Sequence, residues 1–217
     1  MSITNATAEI KGSSNYTPPK KGPRPAILTG IIDVGVQPVE YKGESKKPCR
    51  QFVPVFTLVK DTYEDFEGDI KHSVVRPFPI KLYPGSEKST YAKLVKALDP
   101  NHTILDSKGQ GDVTQLIGQS CFLMIEHRES NEGKVFPRIA GYSEIPEDYP
   151  VEDIEYNPVV FDMNAPDPSV FSQLSDFLKG YIRESVGYLG SDVEKILDGG
   201  LPQSQVGDVE EDDDIPF

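Results

Sequence analysis

In the stretch CRQFVPVFTLVKD (49–61), a two-residue period groups Arg50, Phe52, Phe56 and Lys60 on one strand face and Val53, Val55 and Val59 on the other. With the valines filling an interior, the outer face alternates cations with flat rings. Cations hold phosphates and rings stack on bases, so this is chemistry suited to an unpaired nucleic-acid strand. Further bases flank the stretch: Lys42, Lys46 and Lys47 before it, Arg76 and Lys81 after it. A second alternation lies in SCFLMIEHRESNEGKVFPRIAGYSEI (120–145). It sets Phe122, Met124 and Arg128 against Cys121, Leu123 and Ile125, and Phe136 and Arg138 against Val135 and Ile139. The expected contact set for nucleic acid is Lys42, Lys46, Lys47, Arg50, Phe52, Phe56, Lys60, Arg76, Lys81, Phe122, Arg128, Phe136 and Arg138.

Residues for covalent chemistry are sparse. His72, His102 and His127 are scattered without metal-ligand spacing, and neither a phosphate-binding glycine loop nor a nucleophile elbow occurs. Cys49 and Cys121 form neither a CxxC pair nor a disulfide framework. The expectation is a binding protein rather than an enzyme, with no cofactor and no metal, in a reducing compartment. MSITNATAEIKGSSNYTPPKKG (1–22) lacks the apolar stretch of a signal peptide, and no run approaches membrane-spanning length. The expected location is the cytoplasm, with no membrane partner.

The 217 residues carry a net charge of −13, unevenly spread. Residues 1–60 hold nine bases and four acids, whereas 146–217 hold three bases and eighteen acids. An acid excess argues against a polyanionic partner, but here it is confined to the rear of the chain. It culminates in DVEEDDDIPF (208–217), where six acids lead to Ile215, Pro216 and Phe217. A Phe ring beside a terminal carboxylate suits an apolar pocket rimmed by Lys or Arg. Ile215 adds apolar area, Pro216 stiffens the approach, and Asp212, Asp213 and Asp214 steer toward a basic surface. The tip is therefore expected to bind partner proteins.

Positioning these residues takes a mainly β chain with helices. Residues 1–24 read as a flexible basic arm. PAILTGIIDVGVQPVEY (25–41) is a long strand whose Gly30 and Gly35 predict bulges or strong bending. KGESKKP (42–48) is a basic turn, 49–61 the second strand and 62–69 an acidic turn. A third strand covers 70–85, and its Pro77 and Pro79 place it at an edge or bulge. SEKSTYAKLVKALDP (86–100) predicts a helix capped by Ser86 or Ser89, apolar along Tyr91, Leu94, Val95 and Leu98, and stopped by Pro100. A short helix or turn (111–118) and the hairpin 120–145 follow. Three strands, a helix and two strands are the order of a five-stranded oligonucleotide/oligosaccharide-binding (OB) barrel with its helix between strands 3 and 4. That domain spans 25–145. An acidic extended segment and C-terminal helices fill 146–198 and are expected to pack on the barrel. These are a helix at 167–185, with Val170, Leu174, Phe177, Leu178 and Ile182 inward, and one at 191–200 ended by Gly199–Gly200. Residues 199–217 read as a disordered linker and acidic tail.

DDDIPF (212–217) resembles the C-terminal tip of bacterial single-stranded-DNA-binding proteins, which docks onto replication, recombination and repair partners. The body differs from those proteins and contains no Trp. GIIDVG (30–35), RQFVPVFTL (50–58) and LIGQSCFLMIEH (116–127) look more like phage-encoded single-stranded-DNA-binding proteins of the T7 type, which pair one barrel with an acidic tail ending in Phe. The resemblance implies a single OB-fold that coats single-stranded DNA without sequence preference in phage DNA replication and recombination. It also implies a tail that recruits a polymerase, helicase, primase or nuclease. The competing reading, from the acidic C-terminal third, is a non-coating adaptor or an inhibitor that mimics DNA.

Overall fold

Two long antiparallel strands organise the structure, a computed structural model that describes residues 18–199 except 66, 85, 130–132 and 134. β1 (Gly22–Tyr41) and β2 (Glu44–Glu64) pair from Ala26 opposite Leu58 to Tyr41 opposite Glu44. Residues 42–48, read as a basic turn, mostly belong to this ladder. Only Lys42 and Gly43 turn the chain, at φ 54° and 78°. Positive φ at both positions is what a two-residue hairpin needs if its twist is to match that of the strands.

The chain continues through β3 (Ile70–Val75), β4 (Ile80–Lys81), α1 (Thr90–Leu98) and a 3-10 turn at Val113–Leu116. The hairpin β5 (Ser120–Glu129) and β6 (Val135–Ser143) follows. After an irregular stretch come β7 (Val159–Phe161), α2 (Pro168–Gln173), α3 (Asp176–Arg183) and α4 (Asp192–Asp198). One sheet of seven strands runs β3-β2-β1-β5-β6, with β4 beside β2 and β7 beside β1. Every pairing is antiparallel except β1 with β7.

The count of seven replaces the predicted five. Pro77 and Pro79 split the third strand, since neither can donate a ladder hydrogen bond. Val159–Phe161 adds a strand from a segment read only as extended. The glycine prediction holds in β1, whose register shifts at Leu28/Gly30 and again at Asp33/Val36, around Gly35 at φ 78°. Gly30 has a second role. A Cβ there would lie 2.5 Å from the Val159 carbonyl oxygen, so only glycine lets β7 come this close.

β1 and β2 are buried on both faces. One face presents Ala26, Leu28, Ile31, Phe52, Phe56 and Leu58 to the Tyr91, Leu94, Val95 and Leu98 stripe of α1 and to Leu123 and Ile125 of β5. Ser89 caps α1, its hydroxyl accepting from the Ala92 N–H at 3.0 Å. The other face presents Ile32, Val34, Val53 and Val55 to Phe161, Phe171, Leu174, Leu178, Ile182 and Tyr188. The segment predicted as one helix over 167–185 is two, because Ser175 adopts an extended conformation (φ −65°, ψ 156°) and starts α3 afresh. This break turns Phe177 outward, contrary to the helical period, and leaves Phe171 in the buried place. No described helix is long and apolar enough to cross a membrane.

Candidate nucleic-acid interface

Beyond the sheet, the β1–β2 ladder continues as an arm. From Pro38 to Pro48 every residue except Val39 is exposed. The arm carries Lys42, Lys46 and Lys47, with Tyr41 61% exposed near its tip. The Lys42 ammonium lies 5.5 Å from the Tyr41 ring centroid, and Lys46 pairs with Glu44. Arg50, at the foot of the arm, does something else. Its Nε lies 3.1 and 3.2 Å from the two Asp33 oxygens, its terminal nitrogen also meets Asp33, and Asp162 is 3.6 Å away. The hydrogen bond to Asp33 raises the guanidinium pKa against the opposing effect of burial. Asp33 also accepts from the Gly35 and Met163 N–H groups at 3.0 and 3.1 Å. Arg50, predicted as a phosphate ligand, is therefore a structural cation that ties the arm to the chain beyond β7.

Next to this foot runs an edge. The Leu82 N–H donates to the Arg50 carbonyl at 2.8 Å, which carries the β4 direction alongside the base of the arm. Ile80 and Leu82 face the core, while Lys81 and Tyr83 face solvent, Tyr83 at 59% exposure. Phe78 is 69% exposed and meets Phe177 edge-on at 6.2 Å. Phe177 in turn lies 5.8 Å from Tyr181, whose hydroxyl donates to Gln51 at 3.4 Å, opposite Lys81. Arg76, just before Phe78, is half-buried, and that burial lowers its pKa. Phe78, Lys81 and Tyr83 thus line an edge that leads onto the arm with Tyr41, Lys42 and Lys47. The three exposed aromatics were absent from the predicted set. The alternation Ile80–Lys81–Leu82–Tyr83 was a legible signal for one of them.

The two aromatics predicted in their place are core residues. Phe52 and Phe56 are 5% and 0% exposed, meeting Tyr91 at 6.0 Å and Tyr142 at 6.1 Å. The two-residue period did sort phenylalanines from valines, but it could not say which face is covered by what. Both are covered: the C-terminal helices lie over the valine face, and the larger rings fill the side closed by α1.

The predicted faces hold on β5, whereas on β6 Val135, placed opposite Phe136 and Arg138, is 43% exposed and Phe136 is half-buried. Cys121, Leu123 and Ile125 are buried, and burial pushes the Cys121 thiol up to about 12. Phe122, Met124 and Arg128 share the opposite face, with Phe136 directly across from Arg128 and Arg138 across from Glu126. Arg128 and Arg138 are exposed. These residues lie toward the Gly22 end of β1, since Gly22 pairs with Ile125, while the arm leaves the Tyr41 end. The predicted cations therefore fall into two groups at opposite ends of one strand.

Lys60 and Phe122 converge on a residue outside the predicted set, Tyr149. The Tyr149 ring stands edge-on to Phe122 at 4.9 Å. The Lys60 ammonium lies 5.0 Å from the same ring's centroid and donates to its hydroxyl at 3.2 Å. His72 and His127 are backbone ties, their rings 3.1 Å from the Leu58 carbonyl and 2.7 Å from that of Pro19. Asp65, Glu67 and Asp69 bring carboxylate oxygens within 4.8 Å of one another, but Lys71 already pairs with Asp69 at 3.2 Å and Asp65 at 3.6 Å. Residues 1–17 of the basic arm lie outside the described residues. So does the predicted partner-binding tip: Asp212, Asp213, Asp214, Ile215, Pro216 and Phe217. No protein-family model matches this chain, and no curated protein does.

Proposed function

We propose that this protein binds single-stranded DNA on an OB-type barrel and hands it to replication and recombination enzymes held by its acidic tail, as the resemblance to phage single-stranded-DNA-binding proteins suggests. The sheet order supports the barrel reading. β1 pairs with β2 on one side and β5 on the other, and α1 joins the third-strand region to β5. An OB barrel opened between its third and fifth strands has that order, and its ligand face uses strands 2 and 3 with the loops that flank them.

The observation that carries the proposal is the strip Phe78, Lys81, Tyr83 running onto Tyr41, Lys42 and Lys47. Large aromatics exposed by 59–69% serve no core, and they alternate with cations along one edge and one arm. Rings that accept any base and ammonium groups that track phosphates bind a strand without reading its sequence. Replacing Lys42, Lys47 and Lys81 by Ala together tests this. Binding of an oligo-dT strand is expected to weaken, and the dependence of log affinity on log salt to become shallower by roughly 0.7 per lost phosphate contact. An unchanged slope removes these lysines from the DNA path.

A further inference from the structure

The irregular stretch between β6 and β7 is strongly acidic, with Glu147, Asp148, Glu152, Asp153 and Glu155 all exposed. It does not stand clear of the sheet. A turn closed by the Tyr149 N–H on the Pro146 carbonyl at 2.9 Å delivers the Tyr149 ring between Phe122 and Lys60. A second tyrosine of the stretch, Tyr156, comes close to Gly118, where a Cβ would meet its hydroxyl at 3.2 Å. Phe122 and Lys60 are the pair of side-chain types that holds a nucleotide: a ring for the base and an ammonium for the adjoining phosphate. In this structure a flat ring occupies the first and carries an oxygen acceptor to the second, on a segment that supplies negative charge on both sides.

From this geometry we infer that Phe122 and Lys60 form a nucleotide subsite, which Tyr149 and its acidic flanks occupy until single-stranded DNA displaces them. The inference rests on the proposed DNA-binding function and deepens it. The occupied subsite reduces the fraction of molecules ready to bind, and apparent affinity falls by that fraction. An edge-on aromatic pair and a single cation over a half-buried ring are modest contacts, so the segment yields to a ligand without unfolding the sheet.

The test is Tyr149→Ala in the full chain, titrated with fluorescent oligo-dT at low salt beside the unaltered protein. Removing the ring is expected to tighten binding roughly five- to thirtyfold. The gain is expected to shrink as salt screens the acidic flanks. Adding Phe122→Ala to Tyr149→Ala is expected to cancel it. Glu147→Gln with Asp148→Asn, which leaves the tyrosine packing intact, is expected to give a smaller gain of the same sign. If the unaltered protein binds oligo-dT and neither variant binds tighter, the contact is merely structural and this inference falls while the DNA-binding proposal stands. Absence of binding by all of these proteins overturns both.

Discussion

Aromatic side chains divide by burial into two kinds with opposite consequences. Phe52 is enclosed by Tyr91 and the α1 stripe. Phe52→Ala is therefore expected to cost about 3–5 kcal/mol of stability, read from denaturant melts, because it leaves a cavity in a packed interior. Tyr83→Ala and Phe78→Ala are expected to leave the melt unchanged and each to weaken single-strand binding by about 1–3 kcal/mol, the range for one base stacked on one ring. A melt that shifts for Tyr83 but not for Phe52 contradicts the assignment of faces. Arg50 separates from the lysines in the same way. Arg50→Ala leaves the Asp33 carboxylate short of its charged donors, and a loss of about 1.5–3 kcal/mol in stability is expected with little change in the salt slope.

Elements were more legible than faces. The C-terminal end of α1 could be read from Pro100, its start to within Ser86 or Ser89, and the bends of β1 from Gly30 and Gly35, because caps and glycines act locally. The burial of β2 on both faces depends on α2–α4, more than a hundred residues later, and no period within the strand records it. Phe177, inward by the helical period, faces outward for a local reason that periodicity ignores, the extended Ser175. Gly30→Ala tests how the late segment is attached. The new Cβ collides with the Val159 carbonyl, so a loss of about 1–3 kcal/mol is expected, with faster proteolytic cleavage in 146–158. The loop after α1 has its own anchor. The Asp99 carboxylate accepts from the Thr103, Ile104 and Leu105 N–H groups at 2.8, 3.0 and 2.8 Å and from the Thr103 hydroxyl at 3.0 Å. Burial acts to raise its pKa, but these donors outweigh it and hold the carboxyl below the ordinary range. A depressed carboxyl contributes stability that is full above its unfolded pKa and lost as pH falls through the folded one. Asp99→Asn is accordingly expected to be less stable than the unaltered protein at pH 7, the difference shrinking as acid protonates Asp99 below the ordinary carboxyl range, measured by thermal melts.

At the scale of the whole molecule, charge is sharply divided along the chain. The basic arm and edge lie in a chain whose last third carries eighteen acids against three bases. On the proposed function, a tail tethered to the same chain would compete with DNA for the basic face at high effective concentration. Removing 208–217 is expected to tighten single-strand binding, most at low salt, and to abolish capture of partner enzymes. Removing Phe217 alone is expected to abolish capture and leave DNA affinity nearly unchanged, since the hook is apolar and the competition electrostatic. An adaptor or DNA mimic behaves differently, showing little affinity for DNA at any salt. The most direct measurement of the central claim is a fluorescence-anisotropy titration of the full chain with oligo-dT and with a duplex of equal length at two salt concentrations. Tighter binding to the single strand is expected, falling steeply as salt rises. Equal affinity for the duplex, or no affinity for oligo-dT even at low salt, contradicts that claim.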